Sequence, residues 1–437
     1  MTNEQKEQIL NEIRQIIAGT DFENHVFMVG GAVRDELMGL PLKDLDICVD
    51  LPDGGIQLAL MIAHQQQTYR RKVHPQLFQA YGIARFHLAS FPEIEMECVQ
   101  TRRERYENRD SRNPVTEFAP IQDDCFRRDL TINALYKNLS SGAIVDLTGH
   151  GLEDMRHHII RTPRDPYLTF DEDGLRLLRV IRFASRFGWE IEPSTLQGLK
   201  DCAQRITTIS QDRITDEIGR MLSGPHPDYA LKLLKDTGLM AYILPEWMPL
   251  INQPYGTADY WDYLLRTVHD TEAVLETRWA AFLQPFSTEK AQSVLRRLNY
   301  SSDIQKNILE LHRHLCDLDA CSATGEEVTD KELRRLQYQW GNRAETVTNL
   351  LESKLKNQTD AKPELMAHLA ARCQVMQQDG TACFQLRLPV NGKDIMEALQ
   401  LKPGPQIREF MNRALELCLE HPLISKEDLL ELLRQKA

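Results

Sequence analysis

The sequence predicts an α+β protein, with a small mixed head followed by helix almost to the end. Three observations predict it. Strand-like runs (HVFMVGG, LDICVD, ARFHLASF and EIEMECVQ, with AIVDL as a shorter candidate) fall between residues 20 and 150. From about 160 onward leucines recur every three or four residues, as in GLRLLRVIRFASRF, DYALKLLKDTGLM and EDLLELLRQ. Punctuation is sparse in that second part. Pro245 and Pro249 mark a boundary near 245, a loop falls around 321–328, and Asn391-Gly392 marks a turn before the last helices.

The first element is a helix. Ile9, Leu10, Ile13, Ile16 and Ile17 share one helical face, and Thr2 with Gln5 can form a capping box. That start is not a signal peptide, and with 42% hydrophobic residues no run is long enough to span a membrane, so a cytoplasmic location is expected. The nine cysteines contain no C-x-x-C pair, which argues against a zinc site or a disulfide framework and for reduced, structural thiols. The net charge of −12 argues against indiscriminate nucleic-acid binding, which needs clustered cations. The arginines are nevertheless concentrated. Arg102, Arg103, Arg105, Arg109, Arg112, Arg127 and Arg128 crowd one region, and Arg176, Arg179, Arg182 and Arg186 another. Two such concentrations in an acidic chain suit a phosphate-rich ligand held in a cleft.

The strand LDICVD and the residue before it carry the first chemistry. Side chains alternate along a strand, so Asp44 and Asp46 point to one face. Two close carboxylates repel unless a cation lies between them or one is protonated. Hard oxygen donors suit Mg²⁺, which is commonly shared between one or two carboxylates and substrate phosphates. An isolated D-x-D is more often a solvated strand face. Here Gly30-Gly31 follows the apolar run FMV and opens the helical AVRDELMG. A strand, a glycine pair and a helix start form a phosphate cradle, with Arg34 one turn in, within reach of a triphosphate oxygen. In EIEMECVQ, Glu93, Glu95 and Glu97 share a face, and Glu97 is the expected third carboxylate; Glu93 and Glu95 read equally well as solvated. Three acids beside a phosphate cradle suit two-metal phosphoryl chemistry, that is, nucleotidyl transfer. The P-loop pattern G-x-x-x-x-G-K-S/T is absent.

Four motifs in order then resemble a known family. GGAVRD with its downstream DLD, RRDLTINAL at 127–135, EDGLRLLRVIRF at 172–183 and DRITDEI at 212–218 resemble the successive motifs of class II tRNA nucleotidyltransferases and bacterial poly(A) polymerases. The resemblance implies a nucleotidyltransferase (polymerase beta-like) head at 1–160 and a helical neck at 161–245, for nucleobase selection and RNA binding. It further implies a body at 246–365 resembling a degenerate HD domain and a tRNA-binding tail at 366–437. It implies Asp44 and Asp46 as metal ligands with Glu97 as a catalytic carboxylate, and Gly30, Gly31 and Arg34 at the triphosphate. Arg128 with Asn133, and Asp173, Arg176, Arg179 and Arg182, are the implied nucleotide contacts. The implied cofactor is Mg²⁺ at a two-metal site, with Mn²⁺ as an alternative. The implied partners are the 3′ end of tRNA, CTP and ATP, with no membrane and no obligate protein partner.

The neck motif also has a physical reading. Asp173 and Arg176, three apart on a helix, would be neighbours on one face. A carboxylate accepts and a guanidinium donates. Adenine and cytosine both present an amine donor beside a ring-nitrogen acceptor, whereas uracil and guanine present the reverse. Unpaired buried groups cost ~1–3 kcal/mol each, enough to reject UTP and GTP, so the protein itself would be the template. The alternative is an ordinary helical ion pair from Asp173 to Arg176 or Arg179.

The later chain favours CCA addition. LPVNGKDIMEALQLKPGPQIREF at 388–410, followed by SKEDLLELLRQ, resembles the tail of bacterial CCA-adding enzymes. Residues 253–315 resemble an HD-type domain, but Gln284-Pro285 stand where the family has His-Asp and Tyr263 stands where a histidine is common. A metal-dependent phosphohydrolase needs those ligands. The region is therefore expected to lack hydrolase activity, with His269-Asp270 as surface residues. A poly(A) polymerase, an enzyme adding only A or only CC, and a non-catalytic RNA-binding relative remain as alternatives.

Overall fold

The structure is a computed structural model that describes residues 2–41, 45–66, 73–105, 115–255, 258–323, 328–357 and 363–435. Asp44, Arg109 and Arg112, singled out above, lie outside the described residues. The chain divides into two compact units: residues 1–218 with 232–245, and residues 219–231 with 246–437.

The first unit opens with helix α1 (Asn3–Ile17), whose Thr2–Gln5 capping box forms as the sequence predicts. Around it the chain builds β1 (Val26–Val29), α2 (Gly31–Leu37), β2 (Leu45–Val49) and α3 (Gly54–Gln65). Next come β3 (Gln76–Phe78), β4 (Ile83–Leu88) and β5 (Phe91–Gln100), then a separate hairpin of β6 (Arg102–Arg105) and β7 (Val115–Phe118). The head closes with α4 (Ile121–Phe126), β8 (Leu135–Asn138), β9 (Ile144–Asp146) and α5 (Gly151–His157).

Seven strands form one sheet in the order β3-β4-β5-β2-β1-β8-β9. Only β2 and β5 run parallel, which α3 permits by crossing between them; the other pairs are antiparallel. Alternation along the strands gives the sheet two apolar faces. Met28, Ile47, Ala84, Met96 and Cys98 pack with Ile9, Ile13, Leu58 and Ile62. Phe27, Val29, Cys48 and Tyr136 face the other way, with Ile121 and Cys125. A sheet covered on both faces explains why its central strands read as continuous apolar runs. Cys48, Cys98 and Cys125 are buried free thiols, and burial pushes the Cys125 thiol up to about 12, as expected for structural cysteines.

Helices complete the first unit. After a short strand, β10 (Ile159–Ile160), come α6 (Pro166–Glu172), α7 (Leu175–Phe187), a second short strand, β11 (Glu190–Ile191), and α8 (Pro193–Asp201). They are followed by α9 (Gln211–Leu222), α10 (Pro227–Asp236) and α11 (Met240–Ile243), of which α9 and α10 each cross the boundary between units. Leu177, Val180, Ile181 and Ala184 supply the buried face of α7. The second unit is helical, with α12 (Tyr260–Asp270), α13 (Leu275–Leu283), α14 (Thr288–Arg297), α15 (Ser302–Ala323), α16 (Asp330–Trp340), α17 (Ala344–Asn357) and α18 (Pro363–Gln378). It ends in α19 (Gly392–Leu399), α20 (Pro405–Glu420) and α21 (Lys426–Gln435). Asn391, read as a turn residue, is the N-cap of α19 in a capping box with Asp394. No helix among the described residues is long and apolar enough to cross a membrane.

Candidate active site

Of the expected site residues of the head that are described, Asp46 lies on β2 and Glu97 on β5, Gly30 follows β1, Gly31 and Arg34 lie in α2, and Arg128 and Asn133 lie between α4 and β8. Asp46 and Glu97 are in register on the parallel strands β2 and β5, so their side chains share a face. Asp46 is exposed and Glu97 half-buried. On the other side of Glu97, its register partner Arg85 donates to it at 3.0 Å. Two oxygen donors beside one cation-seeking edge fit a hard divalent ion, and a guanidinium already compensates part of that charge. Glu93 and Glu95 are exposed, as solvated acids would be.

On the strand next to β2, Val29 leads into Gly30. Gly30 has φ +69°, a left-handed conformation that favours glycine. Its N–H donates to the Leu135 carbonyl at 3.2 Å, and a Cβ there would lie 3.3 Å from Arg128 Nη1. Gly31 is the first residue of α2, and a Cβ on it would touch the Arg34 guanidinium. Arg34 is 3% exposed. It donates to Asp35 at 2.8 Å and to Asn133 Oδ1, and lies over the rings of Phe183 and Phe187. The residue expected to reach a triphosphate is thus committed to the turn and to α7.

Behind this turn the arginines are held by two buried acids. Asp124 accepts from Arg127 at 2.7 Å, from Arg128 at 2.9 Å and from the Tyr136 hydroxyl at 2.6 Å. Burial would raise its pKa, but Arg128 and Arg127 beside it hold the carboxyl far below the usual range. Burial also pushes the Tyr136 phenol up. Asp129 accepts from Asn133 at 3.1 Å and from Arg179 at 2.7 Å. Burial alone would raise it too; Arg179 and Asn133 bring it down to about 2. The remaining arginines of α7 are likewise paired. Arg182 donates to Glu217 at 2.5 Å and Arg186 lies 3.6 Å from Asp35.

The neck geometry corrects one expectation. Asp173 and Arg176 are not neighbours on one helix. Asp173 has extended backbone (φ −141°, ψ 104°) between α6 and α7, and α7 begins only at Leu175. Gly174 between them has helical dihedrals (φ −59°, ψ −18°) and packs so closely that a Cβ would lie 2.6 Å from the Arg205 carbonyl oxygen. The helical ion pair is therefore absent too. Asp173 accepts from the Leu175 N–H at 3.0 Å and from Arg213 at 3.1 Å. Arg176 pairs instead with Glu172 at 3.1 Å and donates to the Thr169 carbonyl.

Comparison with known proteins now bears on this geometry. Three family models match in succession: the poly(A) polymerase head domain over residues 26–161, the RNA- and SrmB-binding region of polymerase A over 188–251, and tRNA nucleotidyltransferase domain 2 over 273–433. The chain belongs to the tRNA nucleotidyltransferase and poly(A) polymerase family. Among its relatives are the tRNA nucleotidyltransferase cca1 of Schizosaccharomyces pombe, 25% identical over 95% of this chain and 92% of that one. The CCA-adding enzyme of Geobacillus stearothermophilus is 28% identical over 88% of this chain and 86% of that one. The crystal structure of the Bacillus stearothermophilus CCA-adding enzyme in complex with CTP shares the fold, with TM-score 0.70 and 23% identity, over 100% of this chain and 98% of that one.

This nucleotidyltransferase belongs to a family that uses divalent metal ions, and Asp46 and Glu97 offer the oxygen donors for one. In its second unit, the positions that depart from the HD pattern bond each other: the Tyr263 hydroxyl donates to Gln284 Oε1 at 3.1 Å. His269 is exposed, as expected, but Asp270 is half-buried, accepting from Asn357 at 2.8 Å and pairing with Lys356. Sequence reasoning missed Asp124, Tyr136, Arg213 and Glu217 as supports of the site. Arg213 and Glu217 stand four apart inside DRITDEI, so the motif itself held the signal. Asp124 lies just ahead of Arg127-Arg128, a spacing of three and four that faces them on one helical turn.

Proposed function

We propose that this nucleotidyltransferase adds CCA to the 3′ end of tRNA from CTP and ATP, without a nucleic-acid template and with release of pyrophosphate. The observation that carries the reading is the in-register pair of Asp46 and Glu97 one strand from the Gly30-Gly31 turn, in a chain whose near-full-length relatives are named tRNA nucleotidyltransferase and CCA-adding enzyme. Asp44, Asp46 and Glu97 would hold the ions, Mg²⁺ in a two-metal arrangement with Mn²⁺ as a substitute. When bound, such ions lower the pKa of an attacking hydroxyl and neutralise the leaving pyrophosphate. The chain's own residues do the rest. The Gly30 turn leaves backbone room for the triphosphate, and Arg34, Asn133 and Asp129 keep that turn in shape. Arg128, fixed on Asp124, and Arg179, fixed on Asp129, present guanidinium edges to phosphate. Asp173, oriented by Arg213, accepts from an amine on the base edge, and Arg176 exchanges Glu172 for a ring-nitrogen acceptor. The division into head 1–160, neck 161–245, body 246–365 and tail 366–437 accompanies this reading, with RNA held by the later parts, as does a cytoplasmic location, which cell fractionation tests.

The deciding experiment is incorporation from labelled CTP and ATP, separately and together, on tRNAs lacking CCA, ending in CC, and complete. CC followed by one A and then arrest is expected. Long A tails on any RNA would make the protein a poly(A) polymerase, and A added only to CC-ended tRNA an A-adding enzyme. In parallel, Asp44→Ala is expected to abolish incorporation while tRNA binding survives; substantial turnover would remove Asp44 from the metal site.

A further inference from the structure

In the second unit, two histidines and a carboxylate meet well outside the residues assigned above. His226 and Asp228 stand two apart in the turn SGPHPDY, with Asp228 in the first turn of α10, and His269 lies in the last turn of α12. One ligand atom from each lies within 4.8 Å of the other two. His269 Nδ1 is 2.8 Å from Asp228 Oδ1. The His226 and His269 rings are nearly parallel, at 18°, with centroids 6.3 Å apart. An ordinary His–Asp ion pair accounts for two of these groups and leaves the second imidazole unexplained.

The backbone that carries them is fixed independently of any ion. Arg278 is 4% exposed and donates to the carbonyls of Leu222 (2.5 Å), Gly224 and Thr271 (3.1 Å). One buried guanidinium thus ties the turn just before His226 to the residue two beyond His269. Pro225 and Pro227 flank His226 and restrict the backbone there. Only side-chain rotation is left for three donors to converge, which is the kind of support a built site needs.

We propose that His226, Asp228 and His269 form a transition-metal site of the Zn²⁺ class, with three protein donors and an open position for water. Two imidazoles and one carboxylate select borderline ions such as Zn²⁺, Co²⁺ or Ni²⁺ over Mg²⁺, which prefers oxygen alone. The ion would cross-link the α9–α10 turn to α12 and stiffen the second unit. It would be separate from the all-oxygen set in the head.

The test uses full-length protein stripped of metal with a chelator, carrying Asp46→Asn so that the head contributes less to binding. Titration with Co²⁺, read by visible absorption, is expected to show one equivalent bound through imidazole and displaced by Zn²⁺, and Zn²⁺ is expected to raise Tm. His226→Ala and His269→Ala should each weaken binding by at least about tenfold, since even outer-sphere partners act on that scale. Both should keep the circular dichroism of the parent without metal; His269→Gln replaces His269→Ala if the latter unfolds. Absence of saturable, Zn²⁺-displaceable absorption, or binding unchanged by the histidine substitutions, would overturn the site.

Discussion

The head contains two sets of carboxylates in opposite surroundings. Asp46 is exposed and Glu97 half-buried, on neighbouring strands, with Arg85 on one flank. Asp124 and Asp129 are buried, and between them they hold Arg127, Arg128 and Arg179. The same functional group does two jobs. At the accessible edge, the carboxylates of Asp46 and Glu97 would offer oxygen donors to an incoming cation, with Arg85 already beside Glu97. In the interior, negative charge fixes the guanidinium groups of Arg127, Arg128 and Arg179. Removing the carboxylates should therefore separate the two sets: the edge acids should lose turnover and keep stability, and the buried acids should chiefly lose stability.

The largest effect is expected at the edge. Asp46→Asn should reduce nucleotide incorporation by at least about 10³-fold, roughly 4 kcal/mol of transition-state stabilisation. Its Tm should stay near that of the parent, because the side chain is exposed. A large fall in Tm with turnover preserved would reverse the assignment. The counterpart is Asp124→Ala, which leaves two arginines and the Tyr136 hydroxyl without their shared acceptor. Removing one partner of a buried ion pair costs about 3–5 kcal/mol. Urea denaturation should show a loss near the lower figure, and tRNA-independent ATP binding should weaken only through Arg128.

The next effect is a pH dependence carried by Asp129. Its carboxyl is brought from 3.8 down to about 2, chiefly by Arg179 and Asn133 against the cost of burial. A depressed folded-state pKa stabilises the protein above the unfolded value and loses that contribution as pH falls through the folded one. The Asp129 contribution, on the order of 2 kcal/mol, should therefore be complete above about pH 4 and disappear towards pH 2. Asp129→Asn should flatten that part of the stability profile, as read by denaturation at successive pH values. A profile unchanged by the substitution would mean that Arg179 does not hold this group.

How much of this could be read from the chain depends on range. The central strands and α1 were legible because burial on a fixed face leaves a periodic trace: Ile9, Leu10, Ile13 and Ile17 are all buried. The strand β3 was not, since Gln76–Phe78 is exposed along its length, and β8 was not recognised although β1 and β9 are as short. The Gly30 turn was legible because its positive φ favours glycine, and the shared face of Asp46 and Glu97 because strand alternation is local. The partners of the arginines were not, because Arg34 meets Asn133 and Arg179 meets Asp129 across long stretches of chain. The break between Asp173 and Arg176 was hidden for a related reason. The extended backbone at Asp173 leaves no local trace, and the packing of the Arg205 carbonyl against Gly174 joins residues distant in sequence.

The smallest predicted effect is at that break, and it sharpens the comparison most. Asp173 is oriented by one backbone donor, Leu175 N–H, and by Arg213, whose side chain is 49% exposed. An ion pair this open contributes only ~0.2–1 kcal/mol. Arg213→Ala should therefore leave stability almost unchanged. If Asp173 reads the base edge, however, the same substitution frees the carboxylate to rotate. Preference for ATP and CTP over UTP should then drop by about threefold to tenfold, the kinetic equivalent of losing that orientation. Arg176→Ala removes a donor outright and should blur base choice further. The paired measurement is kcat/KM for the correct and incorrect nucleotides on one tRNA. Equal losses for all nucleotides would make Arg213 a structural residue of α9 and leave base selection to other groups. A loss of discrimination with turnover of the correct nucleotide nearly intact would place Asp173 at the base edge, held there by a partner that never touches the substrate.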